Sequence, residues 1–223
     1  MNSGSISIII PVKNGGKYIS QALDGIIKQN MNVEIIVVDD GSDDNTIEIA
    51  EKYNCKIIRH ESSKGAVAAK NSGLKAANGK FIMFHDCDDI MKDKSLKKLY
   101  DELSSDNNIA AVEAKVQDWY SPDLSDEEKK ITKIKKEAYW GLFTGAILMK
   151  KEIFGTIGLF NENLKAGEII EWQSKMDSAG LKIKKLDYVS TDRRLHSSNY
   201  GKTNKIGEFK DYAAILRARL ASK

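Results

Sequence analysis

Proline is scarce: only Pro11 and Pro122 occur in 223 residues. No repeat or low-complexity tract is visible, so the length suits one large domain or two small ones. Cysteine is equally rare. Cys55 and Cys87 stand far apart with no metal-ligand spacing, which suits a reduced, cytoplasmic setting. No stretch approaches the roughly 20 apolar residues that a membrane helix needs. The apolar run Ile6 to Val12 is short and lacks a basic n-region, so no signal peptide is expected. Excess charge is also missing. Lys and Arg total 35 against 32 Asp and Glu, a formal net charge of +3, which argues against a dedicated nucleic-acid binder. An early glycine-rich, basic loop for a triphosphate is absent too, which weighs against a nucleotidyltransferase. What is plentiful is apolar residues, at 41%, enough for a sizeable core.

The chain is organised around Gly79 to Asp89, GKFIMFHDCDD. The apolar run Phe81 to Phe84 reads as a buried strand. It ends in Asp86, Asp88 and Asp89. Carboxylates there would sit at the mouth of a sheet, where open α/β folds bind ligands. Like charges this close repel, so they need a compensating cation or strong hydrogen bonding. A divalent metal carrying a phosphorylated ligand supplies both. The plainer reading is that Asp88 or Asp89 caps the next helix.

The preceding residues repeat the theme. Ile6 to Val12 reads as a buried strand ending at Pro11, followed by turn chemistry at Asn14-Gly15-Gly16. Tyr18, Ile19, Ala22, Leu23, Ile26 and Ile27 mark an amphipathic helix. Val33 to Val38 is a second strand, ending in Asp39 and Asp40. Ser42, Asp43 and Asp44 suit the cap of the helix through Ile47, Ala50 and Tyr53, but Asp39 and Asp40 precede that cap. Cys55 to Arg59 reads as a third strand. Ser63 to Ala77 reads as a helix with a small-residue face, carrying Lys64 and Lys70. Leu96, Leu99, Tyr100 and Leu103 define another helix. This alternation predicts βαβ units and a parallel sheet with helices on both faces. Three strand ends would then share one rim, where the Pro11–Asn14 turn, Asp39, Asp40, Asp86 and Asp88 meet.

The character changes after Asn108. Ile109 to Trp119 reads as a strand. Ser121 to Glu137 is polar and charged, either a lid or surface decoration. Tyr139 to Met149 is apolar with two glycines inside it, Lys150 to Phe154 reads as a short helix, and Glu168 to Ala179 as a longer one stopped by Gly180. Leu181 to Val189 is expected to be a strand. Arg193, Arg194 and His196 follow in a polar segment. The tail from Glu208 to Leu220 is amphipathic, suited to docking on the parent domain, a second subunit or a membrane surface.

Taken together, SIIIPVKNGGKYISQAL, EIIVVDDGSDDNT, KGAVAAKNSGLKAANGKFIMFHDCDD and GAILMKKEIFGTIGLFNENLKAGEIIEW resemble the family-2 glycosyltransferases of GT-A fold. They run in the family's order and cover most of residues 5 to 180. RRLHSSN resembles the late histidine segment of many members. The resemblance implies an α/β, GT-A architecture: a Rossmann-like nucleotide-binding half with a mostly parallel sheet, then an acceptor-side half. A single domain would span 1–203, divided near residue 108, with an amphipathic helix over 204–223. It implies an inverting transfer of sugar from a nucleotide-sugar donor, commonly a UDP-sugar, to an acceptor, with Mn²⁺ or Mg²⁺. Pro11, Val12 and the Asn14 turn would line the nucleotide pocket. Asp40, supported by Asp39, would accept a hydrogen bond from the base. Lys70 replaces the family's usual arginine beside the diphosphate, keeping the charge and losing the planar fork. Asp86-Cys87-Asp88 would be the Asp-x-Asp motif, with Asp86 on ribose or the lysine and Asp88 on the metal. His196 would be the late metal or diphosphate ligand.

The chain departs from the family on the acceptor side. The usual Gly-Glu-Asp, whose aspartate is the base, is here Gly167-Glu168-Ile169, and the later arginine is Lys175. Isoleucine cannot take a proton. Glu168 or Glu171 would have to serve, or the protein binds a nucleotide sugar or a partner without turnover.

Overall fold

The computed structural model describes residues 6–141, 143–164, 167–197 and 199. The chain alternates strand and helix: β1 Ile6–Val12, α1 Ile19–Ile27, β2 Glu34–Asp39, α2 Thr46–Ala50, β3 Lys56–Arg59, α3 Ala66–Ala76, β4 Phe81–Phe84, β5 Ile90–Met91 and α4 Ser95–Ser105. The later part holds β6 Ile109–Tyr120, α5 Asp126–Ile131, a 3-10 turn at Thr144–Ala146, β7 Ile147–Lys150, α6 Ile153–Ile157, α7 Glu168–Ser178 and β8 Lys182–Leu195.

All eight strands form one sheet in the order β3-β2-β1-β4-β7-β6-β8-β5. β3, β2, β1 and β4 are mutually parallel. β7 runs against both β4 and β6, so β6 returns to the direction of β4, and β8 follows β6. Six of the eight strands therefore point one way, and β8 delivers its C-terminal end to the same rim as β1, β2 and β4. Register fixes that rim: Val12 lies opposite Asp39, and Ile9 opposite Phe84.

Alternation sorts the core into two layers. Ile8, Ile10 and Val12 face one layer with Leu23 and Ile26 of α1 and Leu96 and Leu99 of α4. Ile9, Ile36 and Val38 face the other with Val67 and Leu74 of α3 and Trp172 and Met176 of α7. Burial of both sheet faces explains why β1 and β2 are near-continuous apolar runs. The small face of α3 does what its composition predicts: a Cβ on Gly73 would lie 2.3 Å from Ile9 Cγ2.

Several boundaries differ from expectation. α3 begins at Ala66, not Ser63, because residues 63–65 wrap around Asp40 and Gly65 takes φ +96. Lys150 belongs to β7, and the helix expected at Lys150 to Phe154 lies at Ile153–Ile157. β8 runs on through Arg193 and Arg194. Neither Asp88 nor Asp89 caps α4, whose N-cap is Lys94. The polar stretch after Ser121 contains α5, closed by a capping box between Ser125 and Glu128. It is fastened at both ends: Asp123 takes Lys17, and Asp118 accepts from Lys135 N at 3.1 Å and Tyr139 Oη at 2.7 Å. Among the described residues no helix is long and apolar enough to cross a membrane. The tail expected to form an amphipathic helix lies outside the described residues.

Candidate active site

The rim carries two acid clusters on neighbouring strands. The first follows β2. Asp40 donates its N–H to Val12 O at 2.8 Å, continuing the β1–β2 pairing by one step. Its carboxylate accepts four hydrogen bonds: from His60 Nδ1 at 2.7 Å, Ser63 Oγ at 2.7 Å, Lys64 N at 2.8 Å and Gly65 N at 2.8 Å. Burial alone would raise this carboxyl, but those donors outweigh it and hold it below the usual range. His60 passes on through Nε2 to Ser72 Oγ at 2.9 Å. The expected base acceptor thus has its acceptor sites filled from within the protein. Asp39 is fully buried; its Oδ1 accepts from Ser42 N at 3.1 Å, and Arg59 Nε stands 3.4 Å from Oδ2. Asn14, at φ +54, donates its N–H to Ser42 Oγ at 2.8 Å and accepts the Asp43 N–H through Oδ1 at 3.0 Å. It pins the Pro11–Asn14 turn to the loop after β2, where Pro11 is half-buried and Val12 buried.

The second cluster follows β4, and Asp86, Cys87, Asp88 and Asp89 face different partners. Asp86 sits near Lys70 and Glu168. Burial first, then the charges of Asp88 and Glu168, push its carboxyl above the ordinary range, although Lys70 pulls the other way. Cys87 packs beside Gly15, and burial with the surrounding carboxylates raises its thiol well above the usual value. Asp88 Oδ2 lies 2.8 Å from His196 Nε2 and accepts from Asn199 Nδ2 at 3.3 Å. Asp89 accepts Arg194 N at 2.9 Å through Oδ1; burial and the charges of Asp88 and Asp86 push its carboxyl well above the usual range. Asp89 therefore closes the turn structurally.

Lys70 and Glu168 join α3 to α7. Lys70 Nζ donates to Glu168 Oε1 at 2.6 Å, with both side chains largely buried. Burial opposes the charge on each, yet the pairing wins: Lys70 is raised by Glu168 and Asp86, and Glu168 is lowered by Lys70. Ile169, at the family's base position, is 7% exposed and packs in the core layer with Trp172. Glu171 points elsewhere, toward Asn161 Nδ2 at 3.4 Å and Lys175 Nζ at 3.5 Å; its Oε2 is buried without a hydrogen bond.

Asp86, Asp88, Lys70, Glu168 and His196 therefore gather at one rim, with Glu171 beside but outside them. Asp88 and His196 fit a divalent metal. Their carboxylate oxygen and imidazole nitrogen, hydrogen-bonded 2.8 Å apart here, are donor types that such an ion accepts. Among the described residues no three His, Cys, Asp or Glu side chains converge as a cage. Two protein donors completed by substrate phosphate is the arrangement such ions favour. Residues not foreseen here are His60, Ser63, Asn199 and the role of Arg194. The i, i+3 spacing of His196 and Asn199 is the signal that points to Asn199; nothing local marks His60.

Comparison with known proteins bears on the family and the fold. A glycosyltransferase of Streptococcus pneumoniae, GlyG, is 35% identical over 127 residues, covering 54% of this chain and 41% of its own. The poly(ribitol-phosphate) beta-N-acetylglucosaminyltransferase TarS of Staphylococcus aureus is 38% identical over 99 residues, 41% of this chain and 17% of TarS. The structure of TarS 1-349 with UDP-GlcNAc superposes with a TM-score of 0.69 at 23% identity, covering 89% of this chain and 61% of that one. The mannosyltransferase PcManGT of Pyrobaculum calidifontis, solved with GDP-Man and Mn²⁺, gives 0.72 at 17% identity, with 99% and 65% covered. The chain spans less than two thirds of each of these proteins, and the two structures attest the fold, GT-A. The family model described as Glycosyl transferase family 2 matches residues 7–158, more than half of the chain, and the protein belongs to that family.

Proposed function

We propose that this protein is an inverting glycosyltransferase that moves a sugar from a UDP-sugar to an acceptor, with Mn²⁺ or Mg²⁺ held by Asp88 and His196. The observation that carries the reading is the meeting of Asp88 with His196, 108 positions apart in sequence, beside the buried Lys70–Glu168 pair. The uridine choice is supported by the complexes of TarS with UDP and UDP-GlcNAc.

The nucleotide lies along Pro11, Val12 and the Asn14 turn. Asp39 and Asp40 shape the wall behind the base, Asp40 by holding residues 63–65 in place rather than by offering a free lone pair. Asp86 and Lys70 face the ribose and diphosphate, with Cys87 as the neutral spacer between the acids. A divalent cation, when bound, stabilises charge on the departing phosphate oxygen as a Lewis acid. The acceptor oxygen bonds to the anomeric carbon as the carbon–oxygen bond to the diphosphate breaks, inverting that centre. The acceptor proton goes to Glu168. Glu168 is ionised at neutral pH because Lys70 holds its carboxyl down, and it stands with Asp86 at the rim. Glu171 faces Asn161 and Lys175 instead.

A thermal-shift panel of UDP- and GDP-sugars with and without Mn²⁺ tests the donor, since a ligand bound only by the folded state raises its stability by mass action. A UDP-sugar that stabilises only with metal, with UDP released in turnover, is the expected result. Equal shifts for all nucleotides, or release that survives Asp88→Ala, refute the proposal. The second reading, binding without turnover, is favoured by the burial of Ile169 where the family has its base; metal-dependent UDP binding with no product from any acceptor would establish it.

A further inference from the structure

Arg194 is a buried cation, 2% exposed, placed next to a cluster of acids without forming a direct carboxylate pair through its guanidinium. Its Cζ lies over two aromatic rings, 4.7 Å from the Tyr18 centroid and 4.3 Å from that of Trp119. Nε donates to the backbone oxygen of Asp88 at 2.8 Å, and Nη2 donates to Gln21 Oε1. The Arg194 N–H closes onto Asp89 Oδ1, and its carbonyl accepts Asn199 Nδ2 at 3.1 Å. Tyr18 also packs its ring against His196, 4.8 Å between centroids. One residue thus reaches Asp88, Asp89 and Asn199, and shares Tyr18 with His196.

The choice of atoms matters. A guanidinium laid on the Asp88 carboxylate would occupy the oxygens a metal needs. Gripping the Asp88 carbonyl instead fixes the turn and leaves Oδ2 facing His196. Burying a guanidinium is costly unless its hydrogens and charge are met. Here two aromatic faces and two oxygen acceptors offset part of that cost; burial still lowers the Arg194 pKa, against the raising fields of Tyr18, Asp88 and Asp89. Lysine cannot reproduce this, because it has no plane to stack and no fork to reach Asp88 and Gln21 together.

We propose that Arg194 is the positioning residue of the metal seat, holding the Asp88–Asp89 turn so that Asp88 Oδ2 stays beside His196. This rests on the reading of Asp88 and His196 as metal ligands. Outer partners that orient ligands change metal affinity by roughly 10- to 100-fold when lost. The test uses the full chain and measures free Mn²⁺ by electron paramagnetic resonance in the presence of UDP. Metal-free UDP binding is measured by calorimetry and unfolding by circular dichroism. Arg194→Lys and Arg194→Ala are expected to weaken Mn²⁺ by about 10-fold or more, with metal-free UDP affinity within about twofold. Gln21→Leu, which touches neither ligand, is expected to weaken Mn²⁺ about threefold and to add nothing in the Arg194→Ala background. Mn²⁺ affinity within twofold of wild type in folded Arg194→Lys overturns the inference, as do equal losses of Mn²⁺ and UDP. Should the Arg194 variants not fold, unchanged Mn²⁺ affinity in Gln21→Leu overturns it. Wild-type protein that fails to bind Mn²⁺ with UDP removes the metal seat and this inference with it; wild-type binding with unaffected variants removes the inference alone.

Discussion

The acids after β2 and those after β4 look alike in sequence, two runs of carboxylates at the ends of parallel strands. They are opposites in structure. Asp40 is saturated with hydrogen bonds from His60, Ser63 and two backbone N–H groups, and its carboxyl is held low. Asp86 and Asp89 sit among like charges in partial or full burial, and their carboxyls are pushed high. The first cluster is self-sufficient and organises a loop. In the second, burial and like charge outweigh the pull of Lys70 and Arg193. The same acidic pattern thus gives a low-lying carboxylate where many donors converge, and raised carboxyls where burial and like charge prevail.

That contrast predicts which changes hurt activity and which hurt folding. The largest effect is expected from Asp88→Ala: loss of about 10³-fold or more in turnover and of metal-dependent UDP binding, with an unfolding midpoint unchanged or raised because a like charge is gone. A large drop in the midpoint would erase the distinction between the clusters. Next, Glu168→Gln should lower kcat by about 10²- to 10³-fold, against less than about threefold for Glu171→Gln; the reverse ranking would move the base to Glu171. Asp40→Ala should cost about 2–4 kcal/mol in denaturant unfolding, since it strands His60, Ser63 and two buried-side N–H donors. A cost below about 0.5 kcal/mol would show that the loop does not depend on it.

The smallest effect concerns His85, between the strand and the second cluster. It is fully buried, neither ring nitrogen has a partner at good hydrogen-bond geometry, and burial lowers its pKa to about 4 against weaker raising contacts with the Asp89 and Gly145 backbone. His85→Leu should stabilise at neutral pH by about 1–2 kcal/mol. The folded pKa lies below the unfolded value of 6.5, so the neutral ring's share of stability is complete above 6.5 and is lost as pH falls toward 4. The leucine variant should therefore lose less stability than wild type across that window, as read from paired urea titrations.

Much of the nucleotide-side half is legible in the sequence because its determinants are contiguous. The isoleucines of β1, the small face of α3 and the turn at Asn14-Gly15 each act within a few residues. The ends of α3 and β8 are not legible. Ser63 to Gly65 carry good helix-start chemistry, and only the distant Asp40 diverts them. Arg193 and Arg194 look like solvated loop; their place in β8 depends on Asp118, Tyr139, Tyr18 and Trp119, which the chain presents far away. β5 has two residues, too few for periodicity to register. The Asp88–His196 and Lys70–Glu168 contacts span 108 and 98 positions. Family pattern points to both neighbourhoods, but not to the pairing of Lys70 with Glu168.

β7 is the one long-sheet strand between β4 and β6 that runs backwards. It lets β6 and β8 run in the direction of β4, so the later chain returns to the rim that the early strands share. The rim is therefore built from both parts of the chain: early Asp88 meets late His196, and early Lys70 meets late Glu168. An alteration in the late part is thus felt directly by an acid and a lysine 108 and 98 positions earlier.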